Sequence, residues 1–130
     1  MKKIPMLFFV ALLTVKMLAC TESAVFDPTI TLSPNEAIKM MGTADAMVID
    51  VRSREEYATG HIDGAVNLPL DEITVDNMSV IAPDQGGKII VYCYSGKRSV
   101  LAMNVLHDFG YTDIFNIGGL KDWPFDIGMD

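Results

Sequence analysis

The chain contains few basic residues, few histidines and no repeats. Lys and Arg number 10 against 17 Asp and Glu, which gives the 130-residue chain a net charge of −7 at pH 7. An acidic body of this kind argues against nucleic acid or an anionic membrane surface as the partner. Only His61 and His107 are available as a base for a cysteine nucleophile, which argues against a cysteine protease. Without repeats, low-complexity tracts or internal linkers, the chain has the length of one compact domain.

An apolar stretch near the start of the chain predicts an export signal over residues 1–19. Lys2 and Lys3 precede the apolar run Ile4–Val15. This run is too short to span a membrane comfortably, and it lies where the hydrophobic region of a signal peptide belongs. We therefore expect residues 1–19 to lie outside the folded domain.

Cys20 ends a second pattern, Met17–Cys20, which reads MLAC and resembles the lipobox of bacterial lipoproteins. In that motif the cysteine is lipidated and becomes the new N-terminus. Cleavage by an ordinary signal peptidase near Ala19 or Ala24 is one alternative, and an uncleaved membrane anchor is another. Each of the three places the domain outside the cytoplasm, in the periplasm or on the outer surface of a bacterium. If Cys20 is lipidated, Cys93 is the only thiol left and no internal disulfide can form.

Strand and helix patterns alternate along the domain, which we expect to cover residues 30–127 after a short linker over residues 20–29. Runs rich in apolar and β-branched residues predict strands. These runs lie just before Ser33 and at residues 46–51, 65–68, 88–92 and 113–117. Strands that alternate with helices predict an α/β fold, with a mainly parallel central sheet of about five strands and helices on both faces. Ligands bind at the carboxyl ends of the strands in such a sheet.

Two capping boxes mark the first helix starts. Ser33 and Ser53 are each followed three residues later by a glutamate, Glu36 and Glu56, and Pro34 suits the first helical position. The four predicted helices begin after Ser33, after Ser53, near Asp71 and at Ser99, and Gly110 is placed as the stop of the last one.

The stretch Cys93–Ser99, CYSGKRS, is the candidate active site. It follows the strand pattern of Lys88–Tyr92 and precedes a run of apolar residues at helical spacing. A loop that enters a helix presents unpaired N–H groups and the positive end of the helix dipole. It therefore binds anions and favours the thiolate form of a cysteine held over it. Lys97 and Arg98 add two cations, and Gly96 allows the tight turn that such a loop needs.

The simplest alternative is that Cys93 is a small buried hydrophobe without chemistry, as many cysteines after strands are. The polar and basic residues that follow it make a poor core and a good anion-binding loop, which favours the functional interpretation. Two other predicted strands end at Asp50–Arg52 and just before Gly118–Gly119. Because strand ends cluster at one edge of a parallel sheet, we expect these segments to face the same pocket.

Three blocks carry a family resemblance, and they are Ile49–Leu70, Ile89–Ser99 and Gly110–Trp123. The first reads IDVRSREEYATGHIDGAVNLPL, and the last contains paired glycines and a tryptophan. In the middle block Cys93, Gly96 and Arg98 follow the pattern Cys, two residues, Gly, one residue, Arg. Together, and in this order, the blocks resemble the single-domain rhodaneses, which are sulfurtransferases of the rhodanese-like fold.

The resemblance implies a role for each residue of the site. Cys93 would take a sulfane sulfur from a small anionic donor such as thiosulfate, hold it as a persulfide and pass it to cyanide or a thiol. Arg98, helped by Lys97, would bind the donor's oxyanions, while Asp50 and Arg52 would brace the pocket wall. The cradle for the donor would be formed by the backbone amides of Tyr94, Ser95, Gly96, Lys97, Arg98 and Ser99. We expect neither a cofactor nor a metal ion.

Three other functions compete with the thiosulfate enzyme. Cysteine phosphatases that share this fold wrap a larger loop around their phosphate, whereas only four residues separate Cys93 from Arg98, which argues against phosphatase or arsenate reductase activity. A non-catalytic binding module of this fold has typically lost its cysteine, and this chain keeps it. A persulfide carrier that acts with a protein partner uses the same residues, so the sequence leaves that function open.

Overall fold

The computed structural model describes residues 25–129. The predicted export signal over residues 1–19 and the lipobox residue Cys20 lie outside the described residues, and the predicted linker over residues 20–29 lies partly outside them. Among residues 25–129, none of the helices combines the length and the apolar character needed to cross a lipid bilayer.

A parallel sheet forms the centre of the domain. Its strands are β1 (Met47–Asp50), β2 (Val66–Asn67), β3 (Lys88–Cys93) and β4 (Asp113–Gly119). The strand order is β2-β1-β3-β4, and each neighbouring pair is parallel, which confirms the predicted fold class. The strand predicted just before Ser33 is reduced to a single bridge between Thr31 and Asn116, because a helix begins almost immediately after it.

The described residues form the helices α1 (Pro34–Met41), α2 (Arg54–Ala58), α3 (Val75–Ile81) and α4 (Lys97–Asp108), with short 3₁₀ turns at Leu70–Glu72 and Leu120–Asp122. The first predicted capping box is confirmed. The Ser33 hydroxyl accepts the Glu36 N–H, and the Glu36 carboxylate accepts the Ser33 N–H. Pro34 occupies the first turn, where its missing N–H costs no hydrogen bond.

The two faces of the sheet are buried by different helices. Alternate residues of β3 point to opposite faces, so Ile89, Val91 and Cys93 join one apolar cluster while Ile90 and Tyr92 join the other. The first cluster includes residues of α3 and α4, and residues of α1 pack against the second. Burial of each large apolar side chain contributes about 1.5–3 kcal/mol. Since Cys93 belongs to the first cluster, it lies on the face of the sheet that α4 covers.

The helix predicted near Asp71 begins later than expected. The residues around Asp71 form a 3₁₀ turn, and α3 starts at Val75. Thr74 determines this start because its side chain accepts the Asn77 N–H as an N-cap. The threonine cap thus places the start of the helix after the 3₁₀ turn and not near Asp71.

Helix α4 begins at Lys97, two residues before the predicted Ser99. The preceding residue, Gly96, has φ 93°, in the left-handed region that glycine adopts readily. The Ser99 hydroxyl donates to the Gly96 carbonyl at 2.9 Å, inside the first turn. As a result, Lys97 and Arg98 belong to the first turn of the helix rather than to the loop. The predicted stop is confirmed, since the helix ends shortly before Gly110, which has φ 96°.

Candidate active site

Cys93 ends the central strand, at the carboxyl edge of the parallel sheet, as the sequence predicts. It is the free cysteine of residues 25–129, and it is fully buried. Its Sγ accepts the N–H of Gly96 at 3.0 Å. A sulfur that accepts an amide N–H at the start of a helix lies where negative charge is stabilised. The position thus suits a nucleophile.

The turn after Cys93 is held against the end of β4 by close backbone packing. Cys93 pairs with Gly119 in the sheet, and the Lys121 N–H donates to the Tyr94 carbonyl at 3.1 Å. A Cβ built on Gly119 would lie 2.8 Å from Ser95 Cα, so only glycine fits there. Gly119 therefore sets how near the loop can approach the neighbouring strand.

Arg98 forms a two-pronged ion pair with Glu56 of α2. Its Nη1 and Nη2 donate to the two carboxylate oxygens at 2.6 and 2.9 Å. These hydrogen bonds are the largest cause of the raised pKa of Arg98, and the charges of Glu56, Cys93 and Asp50 act in the same direction. They also lower the pKa of Glu56 to about 2, against the opposing effect of burial. Both side chains therefore stay charged at neutral pH.

Asp50 and Arg52 form a buried ion pair at the end of β1. The Arg52 guanidinium donates to the Asp50 carboxylate at 2.7 Å and to the Gly60 carbonyl at 2.6 Å, and it lies 5.9 Å from the centre of the Tyr92 ring. Burial by itself would lower the pKa of Arg52. The hydrogen bonds and the charge of Asp50 outweigh this effect, so the pKa of Arg52 is raised. The Asn67 amide donates to both backbone carbonyls of the pair at 3.0 Å. This network fixes the strand end beside the candidate site, as a bracing role requires.

Two adjacent cations of the first turn of α4, Lys97 and Arg98, line different cavities. One cavity is lined by Ser95, Gly96 and Lys97 together with α1 residues and Trp123. The other is lined by Arg98 together with residues around Val51, Ser53 and Leu70. Tyr94, also predicted to contribute its amide, has a largely exposed side chain. The structure thus brings Cys93, Gly96 and Ser99 together but places Lys97 and Arg98 in different cavities.

Glu56 has a role in the site that the sequence does not predict. The sequence places it only in a capping box with Ser53. Of the two hydrogen bonds of that box, the structure has the one in which the Ser53 hydroxyl accepts the Glu56 N–H. The Glu56 carboxylate is directed instead to Arg98 and to the Ser53 hydroxyl. A helix-start pattern explains a glutamate at this position by itself, and the block that resembles the family contains Glu56 without indicating its partner, so the ion pair with Arg98 is seen only in the structure.

Both histidines stack on aromatic rings. His61 is buried, and its ring stacks on Tyr57 at 3.6 Å. His107 lies in the last turn of α4, about 15 Å along the helix from its first residue, and stacks on Phe26. Within residues 25–129 no group of three or more His, Cys, Asp or Glu side chains is arranged to hold a metal ion.

Comparisons with known proteins show the family to which the chain is similar. A family model described as the rhodanese-like domain matches residues 33–124. The chain is 42% identical over 74 residues to the thiosulfate sulfurtransferase PspE of Escherichia coli K12, an alignment that covers 57% of this chain and 70% of that protein. It is 32% identical over 106 residues to the putative sulfur carrier protein YrkF of Bacillus subtilis, covering 79% of this chain and 54% of that protein.

A solved structure is similar as well. The structure titled as a rhodanese with anions from E. coli superposes with a TM-score of 0.60 at 37% identity, covering 64% of this chain and 96% of that one.

Replacement of Gly119 by alanine tests the close packing of the loop. Because the new methyl group must displace backbone atoms of Tyr94 and Ser95, we expect Gly119→Ala to lower the free energy of unfolding by about 1–3 kcal/mol. Gly42→Ala is the control, since Gly42 has φ −71° and a Cβ there is 3.4 Å from its nearest neighbour. Urea denaturation measures both variants, and equal stability of the two would contradict the packing argument.

Proposed function

The chain belongs to the rhodanese-like family, and on that premise we propose that it moves a sulfane sulfur from thiosulfate, or a similar small anionic donor, to cyanide or a thiol. The observation that carries the proposal is the position of Cys93. Its Sγ lies at the end of the central strand, 3.0 Å from the Gly96 amide nitrogen and at the start of α4. Ligands of parallel sheets bind at this edge, and a thiolate there is a nucleophile.

The proposed reaction has two halves. In the first, the Cys93 thiolate attacks the outer sulfur of thiosulfate. A bond forms between Sγ and that sulfur, the S–S bond of thiosulfate breaks, and its electron pair leaves with sulfite. The enzyme now carries a persulfide, Cys93–S–S⁻. In the second half, cyanide or a thiolate attacks the terminal sulfur, and the displaced electron pair restores the Cys93 thiolate.

The surrounding groups support charge on both species. The Gly96 N–H already donates to Sγ, and the first N–H groups of α4 lack acceptors within the helix, so they are available to an anion. Arg98 contributes a guanidinium that suits a sulfur oxyanion, and Lys97 adds positive charge from the neighbouring cavity. The similar E. coli rhodanese is described as holding anions, which supports an anion site here. The bracing role of Asp50 and Arg52 belongs to the same proposal.

A second candidate is a persulfide carrier that receives its sulfur from, or delivers it to, a protein partner. The full burial of Cys93 favours this candidate, because a buried persulfide is protected from small thiols. The similarity to a putative sulfur carrier supports it also. Both candidates share the Cys93 persulfide and differ in whether a small donor alone suffices.

We also propose that the protein acts outside the cytoplasm. Residues 1–19 would direct export, and Cys20 would carry a lipid anchor. In an oxidising compartment Cys93 then has no internal disulfide partner, which keeps it available for persulfide chemistry.

The first prediction concerns the nucleophile. Cys93→Ser should abolish formation of thiocyanate from thiosulfate and cyanide, because a hydroxyl cannot accept the sulfane sulfur under these conditions. Cys20→Ser is the matched control, since it removes the other cysteine of the chain and should leave the rate unchanged. A wild-type protein that makes no thiocyanate while other sulfur donors load Cys93 would favour the carrier.

The second prediction concerns the anion site. Arg98→Ala should raise the KM for thiosulfate about tenfold to a hundredfold, since a charge-assisted hydrogen bond contributes about 1.5–3 kcal/mol. Arg54→Ala is the control, because it removes an arginine that lines the same cavity and is also ion-paired, with Glu72 at 2.7 Å, but that lies on α2 and not in the first turn of α4. Steady-state kinetics measures both. An unchanged KM in Arg98→Ala would show that the donor binds elsewhere.

The third prediction concerns export. Mass spectrometry of the protein purified from membranes of its host should find Cys20 at the N-terminus, with a lipid adduct. An N-terminus close to residue 20 or 25 without lipid would show that the protein is exported but that Cys20 carries no lipid anchor. An intact Met1 on soluble protein would contradict export itself.

A further inference from the structure

We propose that Glu56 is a specificity-determining residue that competes with anionic donors for Arg98, so that the site binds a dianion such as thiosulfate less tightly than its arginine alone would allow. The inference rests on the proposed sulfur transfer through Cys93. It concerns the charge of the donor rather than the identity of the nucleophile.

Arg98 binds Glu56 in the geometry that an anionic donor would need. Both of its terminal nitrogens donate to the Glu56 carboxylate, at 2.6 and 2.9 Å, in the forked arrangement that a sulfur oxyanion would also use. A donor that binds Arg98 in this way must displace the carboxylate or share the guanidinium with it. The two side chains are 36% and 37% exposed, so the pair is reachable from solvent.

Glu56 is also held in place independently of Arg98. It is the third residue of α2, its N–H donates to the Ser53 hydroxyl, and that hydroxyl lies 3.2 Å from the Glu56 carboxylate. A carboxylate anchored at the start of a helix stays beside the site when Arg98 is drawn away. The hydrogen bonds of Arg98 hold the pKa of Glu56 at about 2, so the carboxylate is ionised at neutral pH before a donor arrives.

The charge around the cavity acts in the same direction. Arg98 shares this cavity with the paired Arg54 and Glu72, and with the carboxylates of Glu55 and Asp71. Counted with Glu56, the carboxylates outnumber the arginines. A dianion is therefore repelled by the net negative charge of this cavity, and the arginine that would bind it is already paired with Glu56. A monoanion has half the charge, so its electrostatic repulsion from the same carboxylates is about half as large.

The test is steady-state kinetics of Glu56→Gln in the full chain, with thiosulfate and cyanide. Glutamine keeps the helix-start geometry that Ser53 caps, and it removes the charge that holds Arg98. We expect the KM for thiosulfate to fall about two- to fivefold, the factor that the energy of a partly exposed ion pair provides, with kcat retained. Methanethiosulfonate, a monoanion with the same kind of S–S bond, should show a smaller fall.

Glu55→Gln is the matched control. It removes one carboxylate from the same cavity and leaves the Arg98 ion pair intact, so it should lower the KM less than Glu56→Gln does. In an Arg98→Ala background the two glutamine variants should change the KM for thiosulfate equally, because there is no longer an Arg98 guanidinium for which Glu56 and the donor compete. An unchanged or raised KM in Glu56→Gln would overturn the proposal and assign Glu56 the positioning of Arg98.

A crystal structure of the wild-type protein with bound thiosulfate tests the same competition if Glu56→Gln is poorly folded. It should show the Arg98 guanidinium moved from the Glu56 carboxylate to the anion. Arg98 still bound through both nitrogens to Glu56, with the anion elsewhere, would refute the competition. Failure of wild-type Cys93 to form a persulfide from any donor would instead refute the proposed function.

Discussion

The parallel pairing of β3 on both sides is the constraint on which the site depends. Because β1 and β4 flank β3, Cys93 is fixed at the middle of the carboxyl edge, on the face that α4 covers. The chain must then turn within three residues and enter α4, which Gly96 permits through its left-handed backbone. Gly119 lets that turn lie against β4 without a side chain between them. The thiol, the amide that binds it and the helix start are thus consequences of one strand position.

Charge at this edge is organised in two ion pairs of different character. Asp50 and Arg52 are buried, their backbone carbonyls both accept from the Asn67 amide, and they fix the end of β1. Glu56 and Arg98 are partly exposed and join two helices that are far apart in sequence. A buried pair resists exchange because an uncompensated charge in the interior costs several kcal/mol, whereas a partly exposed pair can exchange a carboxylate for another anion. The first pair therefore suits bracing and the second suits ligand exchange.

Local signals in the sequence predicted most of the fold, and contacts between distant segments account for what they missed. The Ser33 capping box and the stop at Gly110 depend on neighbouring residues, and both were predicted correctly. The start of α4 was placed too late because Gly96 caps it through backbone conformation, without a side chain. Successive helical residues differ by about 100° in direction, so the earlier start explains why Lys97 and Arg98 line different cavities. The Glu56 contact, 42 residues distant, left no local pattern.

Sulfur transfer through Cys93 is tested most directly by the mass of the protein after exposure to a sulfur donor. Thiosulfate should add one sulfur atom per chain, peptide mapping should place it on Cys93, and cyanide should remove it as thiocyanate. A folded chain that gains no sulfur on Cys93 from thiosulfate, polysulfide or an organic persulfide would contradict sulfur transfer through this residue.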